Sequence, residues 1–360
     1  MNTFGIEEEF FLLDPTSGLP AVPDAKARAT LMSIRAGGSR SQHELLGCQL
    51  EMATPVCTNA KEALVSLRGF RRGLATTAAG IDLQVVSMGT APLIPDGPAH
   101  ISPLERYREI HRYLPGISSE QYVSGLHVHI AIPDSEAGIL ALNGLRRWLP
   151  LLVAIGANSP FWRGEDTGFA SWRSIHYRKW SVQGIQPYFA DADDYYKRLA
   201  LVLGSDAVLD AGHIGWAARL SCNYPTVEIR VADAQLRAED SVTLALVIRA
   251  LVETSIHAPH RETGLHNEML DLAFWQAAKH GLGGNQLDPE TGHAIPVQHM
   301  LGALAERIRD ALAENGDSDL VDATLERLPR DGNGARRQRE SLARGGLARV
   351  IADAATDLTA

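Results

Sequence analysis

The stretch TFGIEEEFFLLD, residues 3–14, sets three consecutive glutamates inside an otherwise apolar run. Acidic residues are depleted in strands, and a buried carboxylate is costly unless something pairs with it. The run is therefore either a surface helix or a strand built to hold positive charge. With a side-chain period of two, a strand puts Glu7 and Glu9 on one face. Glu8 then shares the other with Phe4, Ile6, Phe10 and Leu12.

The same division recurs along the chain. In GLHVHIAI, His127 and His129 point one way and Leu126, Val128 and Ile130 the other. In TVEIRVAD, Glu228 and Arg230 oppose Val227, Ile229 and Val231. In ELLGCQLEMAT, Glu44 and Glu51 are seven apart, so a regular strand over 44–54 would separate them, and a bulge or bend at Gly47 would bring both to one face. Further strands are expected over 82–90 and 213–222, the latter placing Arg219 and Ser221 on a common face.

Helical periodicity covers 59–79, 134–156 and 239–260, then 266–279, 296–315, 318–329 and 335–356, with the turn-rich 281–293 as a loop. Strands separated by long, irregular insertions imply an α+β fold with an antiparallel or mixed sheet. With no internal repeat and no long polar linker, the simplest organisation is one domain. Its sheet-bearing part spans about 1–260 and its helical part about 261–360.

With 43 acidic against 34 basic residues the net charge is −9, which argues against nucleic acid or an anionic membrane as a general partner. The N-terminus carries acidic residues where a signal peptide would need a positive n-region, and no apolar run approaches the roughly 18 to 20 residues of a membrane span, so a cytoplasmic location is expected. Three cysteines without C-x-x-C spacing point to reduced thiols. The apolar helices are compatible with a homo-oligomer.

Taken singly, an E-E-E run is usually a solvated patch, an H-x-H pair usually structural, and an E-x-R pair a surface ion pair worth under about 1 kcal/mol. Together they make an oxygen-rich set suited to Mg²⁺ or Mn²⁺. Grouped glutamates would raise one another's pKa, and a cation accounts for their grouping. There is no G-x-x-x-x-G-K-[ST], G-x-G-x-x-G, complete H-E-x-x-H or G-x-S-x-G. Any nucleotide would be held by metals and arginines.

The blocks FGIEEEFFLLDP, ELLGCQLEMATPVC, GLHVHIAIPD, NSPFWRGEDTGFASWRS, PTVEIRVADAQLRAEDSVTLALVIRALV and GNGARRQRE resemble, in order, type 2 glutamate-cysteine ligases, and more closely their bacterial carboxylate-amine ligase branch. The resemblance implies a glutamine-synthetase-like fold, a curved, mainly antiparallel sheet whose concave polar face binds ATP and Mg²⁺. By motif, Glu7, Glu9, Glu44 and Glu51 match metal ligands. His127 and Glu228 match ligands of the metal nearest the ATP phosphates, and Arg230 would lie against those phosphates. No role for Glu8 or His129 follows from the match.

The implied reaction activates a carboxylate as an acyl phosphate that an amine then displaces, with glutamate and cysteine as the leading substrates. Arg163 and Arg173, in a loop rich in aromatics and glycine, and Arg219 are candidates to grip substrate carboxylates. Each has a structural alternative, as a loop anchor or the partner of a surface acid. SIHYRKWSVQG is polar and basic at His176, Arg178 and Lys179, a departure from the family's pattern that leaves the amine acceptor open. A ligase joining another carboxylate or amine, a metal-dependent hydrolase and a non-catalytic binder are the other readings.

Overall fold

The alternation in residues 4–13 produces a ten-residue strand, β1 (Phe4–Leu13), with Phe4, Ile6, Phe10 and Leu12 buried in the larger hydrophobic core. Around it are β2 (Arg35–Ala36), β3 (Ser39–His43), β4 (Gln49–Ala53), β5 (Gln84–Val86), β6 (Gly125–Ala131), β7 (Ala218–Leu220) and β8 (Thr226–Asp233). These form one eight-stranded sheet in the order β7, β8, β6, β1, β4, β3, β2, with β5 also joined to β1. Every pairing in it is antiparallel. The computed structural model describes residues 2–259 and 266–360.

One face of the sheet is covered by helices Ala60–Ala79 and Ala238–His257. The first starts at Asn59, whose side chain accepts from the Glu62 N–H at 3.0 Å, and it buries Ala63, Leu67, Phe70, Leu74 and Ala78 at helical spacing. Helices Asn267–His280, Val297–Asn315 and Ser318–Asp331 follow, and their apolar stripes join the same core as Phe4 and Ile6. The expected end of the third helix at residue 260 lies outside the described residues.

Glu8, on the apolar face, is fully buried in an ion pair with Arg71 of helix Ala60–Ala79. Arg71 donates to it from Nε at 2.9 Å and from a terminal nitrogen at 2.7 Å, and Ser241 Oγ donates at 2.5 Å. The middle glutamate of the run is thus a core bolt between β1 and two helices.

Several boundaries depart from the sequence reading. The strand expected over 44–54 is only Gln49–Ala53. Residues 44–48 form the connection from β3, held by the Gly47 N–H donating to the His100 carbonyl at 2.7 Å. A reversal of the chain at a hairpin, in place of a bulge within one strand, brings Glu44 round. The strand β3, SRSQH, was missed because it carries no apolar alternation. The helix expected over 134–156 is two, Ser135–Leu145 and Leu149–Ile155, bent by 68° ahead of Pro150. The loop expected over 281–293 contains Asn285–Leu287, which pairs with Ala294–Pro296. Gly215–Trp216 leaves the expected 213–222 strand to pair with Gln183–Gly184. Among the described residues no single helix is long and apolar enough to cross a membrane.

Candidate active site

On the other face of the sheet the polar residues line up strand by strand. Glu7 lies opposite His127, Glu9 opposite Glu51, Glu228 opposite His129, and Arg219 opposite Glu228. Their side chains, with Glu44 from the β3–β4 connection, line one cavity of about 370 Å³, which also receives Arg173 and Arg230. Helix Glu105–Tyr113 and residues 212–213 close one side, where Arg106 pairs with Asp210 at 3.0 Å.

Glu7 is the hub. Its carboxylate lies 3.3 Å from His127 Nδ1 and 3.3 Å from His129 Nε2. Two groups of possible ligand atoms fall within 4.8 Å of one another: Glu7, His129 and Glu228, and Glu7, Glu51 and His127. His129 Nδ1 is bonded to Thr226 Oγ1 at 2.9 Å, which leaves its buried Nε2 to face Glu7. The Gly125 N–H donates to Glu9 at 2.8 Å.

The electrostatics divide the acids into two kinds. Burial pushes the Glu51 carboxyl well above its usual value, and Glu44, Glu7 and Glu9 add like-charge repulsion. Glu9 and Glu44 are raised chiefly by burial as well. Burial also acts to raise Glu7 and Glu228, but it is overcome. Hydrogen bonds to His127 and His129 hold Glu7 low, and the charges of Arg230 and Arg219 hold Glu228 low. Burial and Arg230 depress His127, favouring the neutral imidazole that a metal requires. Buried, mutually repelling carboxylates beside two buried imidazoles fit a hard divalent cation.

The arginines differ from one another. Arg230 pairs with Glu228 and comes within 3.4 Å of His127 Nδ1. Arg219 also holds Glu228, at 2.8 Å, and spends a terminal nitrogen on the Ala211, Gly212 and Ile214 carbonyls. It lines the cavity with its donors already engaged. Arg163 is not brought to the site: it pairs with Glu120 and lies outside the cavity lining. In SIHYRKWSVQG the three basic side chains do not line the cavity. Arg178 pairs with Asp271, Lys179 with Glu120, and His176 packs on Trp162, leaving Tyr177, Trp180 and Gln183 as the wall.

The sequence reading missed Asp233, which is fully buried beside Arg173. Between Ile229 and Ala232 the register of β8 on β6 slips by one residue. That bulge turns Asp233, paired with Gly125, to the same side as Glu228 and Arg230. Nothing in TVEIRVAD announces the bulge.

The profile of glutamate-cysteine ligase family 2 (GCS2) matches residues 3–353. The chain belongs to that family. Its members are ligases that form carbon–nitrogen bonds. Relatives include "Putative glutamate–cysteine ligase 2-1" of Nocardia farcinica, 38% identical over 93% of this chain and 88% of that one. A protein of the same description from Saccharopolyspora erythraea is 39% identical over 94% and 89%. Among solved structures, a glutamate–cysteine ligase from Francisella tularensis in complex with AMP superposes with a TM-score of 0.71 at 13% identity, covering 99% of this chain and 88% of that one. The fold of that solved ligase is shared by this chain, whose α+β architecture is built around a mainly antiparallel sheet.

Proposed function

We propose that this family member is an ATP-dependent carboxylate–amine ligase that uses Mg²⁺ and joins L-glutamate to L-cysteine. The observation that carries the reading is the Glu7-centred cluster: two overlapping carboxylate–imidazole groups, with Arg230 at their edge. Glu7, Glu9, Glu44, Glu51, His127, His129 and Glu228 would hold the metal. Bound there, it would neutralise phosphate charge and orient the phosphates for in-line transfer.

The protein's own part is positioning and charge. A carboxylate oxygen of the acid attacks the γ-phosphorus of ATP, the bond to the β–γ bridging oxygen breaks, and ADP leaves. The amine nitrogen then attacks the acyl carbon, the carbon–oxygen bond to phosphate breaks, and the amine gives up a proton. Arg230, fixed by Glu228, places a permanent positive charge where the transferring phosphoryl group gathers negative charge. Arg219 keeps Glu228 ionised and aimed. No covalent protein nucleophile is needed.

The test is ATP turnover by purified protein with Mg²⁺ and glutamate, with and without cysteine and a panel of other amines, product masses being recorded. ADP and γ-glutamylcysteine are expected only with both substrates, and Glu7→Gln and Glu228→Gln should abolish them. A γ-glutamyl product of another mass would rename the acceptor. No ADP in any combination, with amide or phosphoester cleavage in its place, would move the reading to a metal-dependent hydrolase.

A further inference from the structure

One wall of the cavity is not part of the sheet. Helix Glu105–Tyr113 lies along that side, with Arg106, Tyr107 and Ile110 in the lining. Pro103 and Pro115 bracket the helix, and each interrupts helical hydrogen bonding, so its nine residues form a unit apart from what precedes and follows. The anchorage of that unit is light. Only Ile110 is buried, the first turn has no side-chain cap, and Tyr107 Oη donates to the His43 carbonyl at 3.0 Å. A segment with so little buried apolar surface opens at low cost.

The side it closes against is fixed. Arg219 donates to the Ala211, Gly212 and Ile214 carbonyls and is itself held by Glu228 of β8, so the turn over 210–214 is tied to the sheet. The helix meets that turn through a two-pronged ion pair. Arg106 Nε donates to Asp210 Oδ2 at 3.2 Å and a terminal nitrogen donates to Oδ1 at 3.0 Å, both side chains being half-exposed. Asp210 Oδ1 also accepts from the His213 N–H at 3.0 Å, which fixes its aim. A Cβ on Gly212 would stand 2.7 Å from an Arg106 terminal nitrogen, so the guanidinium crosses bare backbone. Tyr113 Oη adds a contact to the Asp206 carbonyl.

We propose that helix Glu105–Tyr113 is a flap over the ligase cavity and that the Arg106–Asp210 pair is its latch, closed during turnover to keep water from the activated acid. The inference rests on the ligase reading above, because that reading creates the group in need of protection. Water reaching an acyl phosphate attacks the acyl carbon through its oxygen, the carbon–oxygen bond to phosphate breaks, and a proton is released. The acid is regenerated and ATP is consumed without an amide. An exposed ion pair is a weak fastening that salt screens, which suits a latch that opens for each substrate and product.

The readout is the ratio of ADP to amide formed with ATP, Mg²⁺, glutamate and cysteine, or the acceptor that product masses identify. In the unaltered enzyme at low salt the two should form in equal amounts. Asp210→Asn keeps an acceptor for the His213 N–H and removes the charge, and Asp210 lies outside the cavity lining, so no substrate contact goes with it. In this variant and in Arg106→Gln, ADP per amide should rise about threefold or more, and in the double variant it should rise no further than in either single one. Arg106→Lys should keep part of the coupling that Arg106→Gln loses. Raising salt from about 0.05 M to about 0.5 M should increase the ratio in the unaltered enzyme and leave that of Asp210→Asn where it was. This series tests the latch without any substitution in the enzyme. A ratio unchanged in folded Asp210→Asn, or unmoved by salt in the unaltered enzyme, overturns the proposal, as does an additive double variant. A loss in Arg106→Gln carried by KM, with ADP and amide still equal, would make Arg106 a substrate contact and overturn it too. Failure of the unaltered enzyme to make ADP with any acid would count against the ligase reading itself, a separate result.

Discussion

Three neighbouring glutamates meet three different fates. Glu7 and Glu9 project into the cavity, where Glu7 is held ionised by two histidines while Glu9 is raised by burial. Glu8 is sealed in the core against Arg71. Glu51 carries the greatest electrostatic stress, since burial and three other carboxylates all oppose its ionisation. Removing that charge should therefore stabilise the metal-free protein and disable it at once. Glu51→Gln is expected to raise metal-free stability by about 0.5 to 2 kcal/mol and to abolish ATP turnover. Thermal melts in EDTA beside an ADP assay decide it, and a lower melting temperature would show that Glu51 is paired in solution.

Protonation gives a second residue-scale expectation. Glu9, Glu44 and Glu51 have folded-state values above the ordinary 4.5. A carboxyl raised in this way contributes stability below the ordinary value and loses it as pH rises through the raised one. Glu7 and Glu228 are depressed, so their contribution is present above the ordinary value and fades only as pH falls below it. The metal-free protein should thus lose stability as pH climbs from 4.5. Mg²⁺ must displace the protons held by the raised group, so its stabilisation should grow with pH, toward about 2.7 kcal/mol at a hundred times Kd. Melts with Mg²⁺ and with EDTA at about pH 5.5 and about pH 8 measure this, and an equal Mg²⁺ gain at both would contradict it.

Among elements, β1 decides the most. One strand carries the apolar face that seats two helices, the two cavity acids and the Glu8 bolt. A buried pair of this kind is costly to break from one side and inexpensive to replace whole. Glu8→Leu or Arg71→Met alone should cost about 3 to 5 kcal/mol, whereas the double substitution should recover most of that loss. Urea unfolding followed by circular dichroism tests it. A double variant as unstable as the sum of the singles would mean that the two residues act independently. The bulge in β8 does comparable work for the site, since without it Asp233 would point into the core and Arg173 would lose its neighbour.

At the scale of the whole molecule, the late helices share the core that backs the sheet. Leu304, Ile308, Val321 and Leu358 belong to the same core cluster as Phe4, Leu126 and Val227. Arg249, fully buried in helix Ala238–His257, reaches both the Thr58 carbonyl and Asp317, tying the two parts of the chain together. Unfolding should therefore occur as one transition, coincident in far-ultraviolet dichroism and tryptophan fluorescence. Two separated transitions would show that residues after about 266 fold on their own.

Period-two alternation was enough to assign Glu7 and Glu9, His127 and His129, and Glu228 and Arg230 to common faces, because side-chain direction in a strand is a local property. Periodicity and capping residues marked Ala60–Ala79 and Ala238–His257 for the same reason. Long-range contacts were beyond local pattern. Arg71 reaching Glu8, the β3–β4 reversal that delivers Glu44, the register slip that turns Asp233, and the diversion of Arg163 to Glu120 each join residues distant along the chain or depend on a neighbouring strand. The sequence by itself marked the candidate cation-holding residues and the faces that Glu7, Glu9, His127, His129, Glu228 and Arg230 share. Only the tertiary structure decided which charges were spent on one another and which, like the Glu51 carboxylate and Arg173 Nε, were left facing the cavity or without a partner. A pairing energy depends on distance and burial in three dimensions, and neither is written in local spacing.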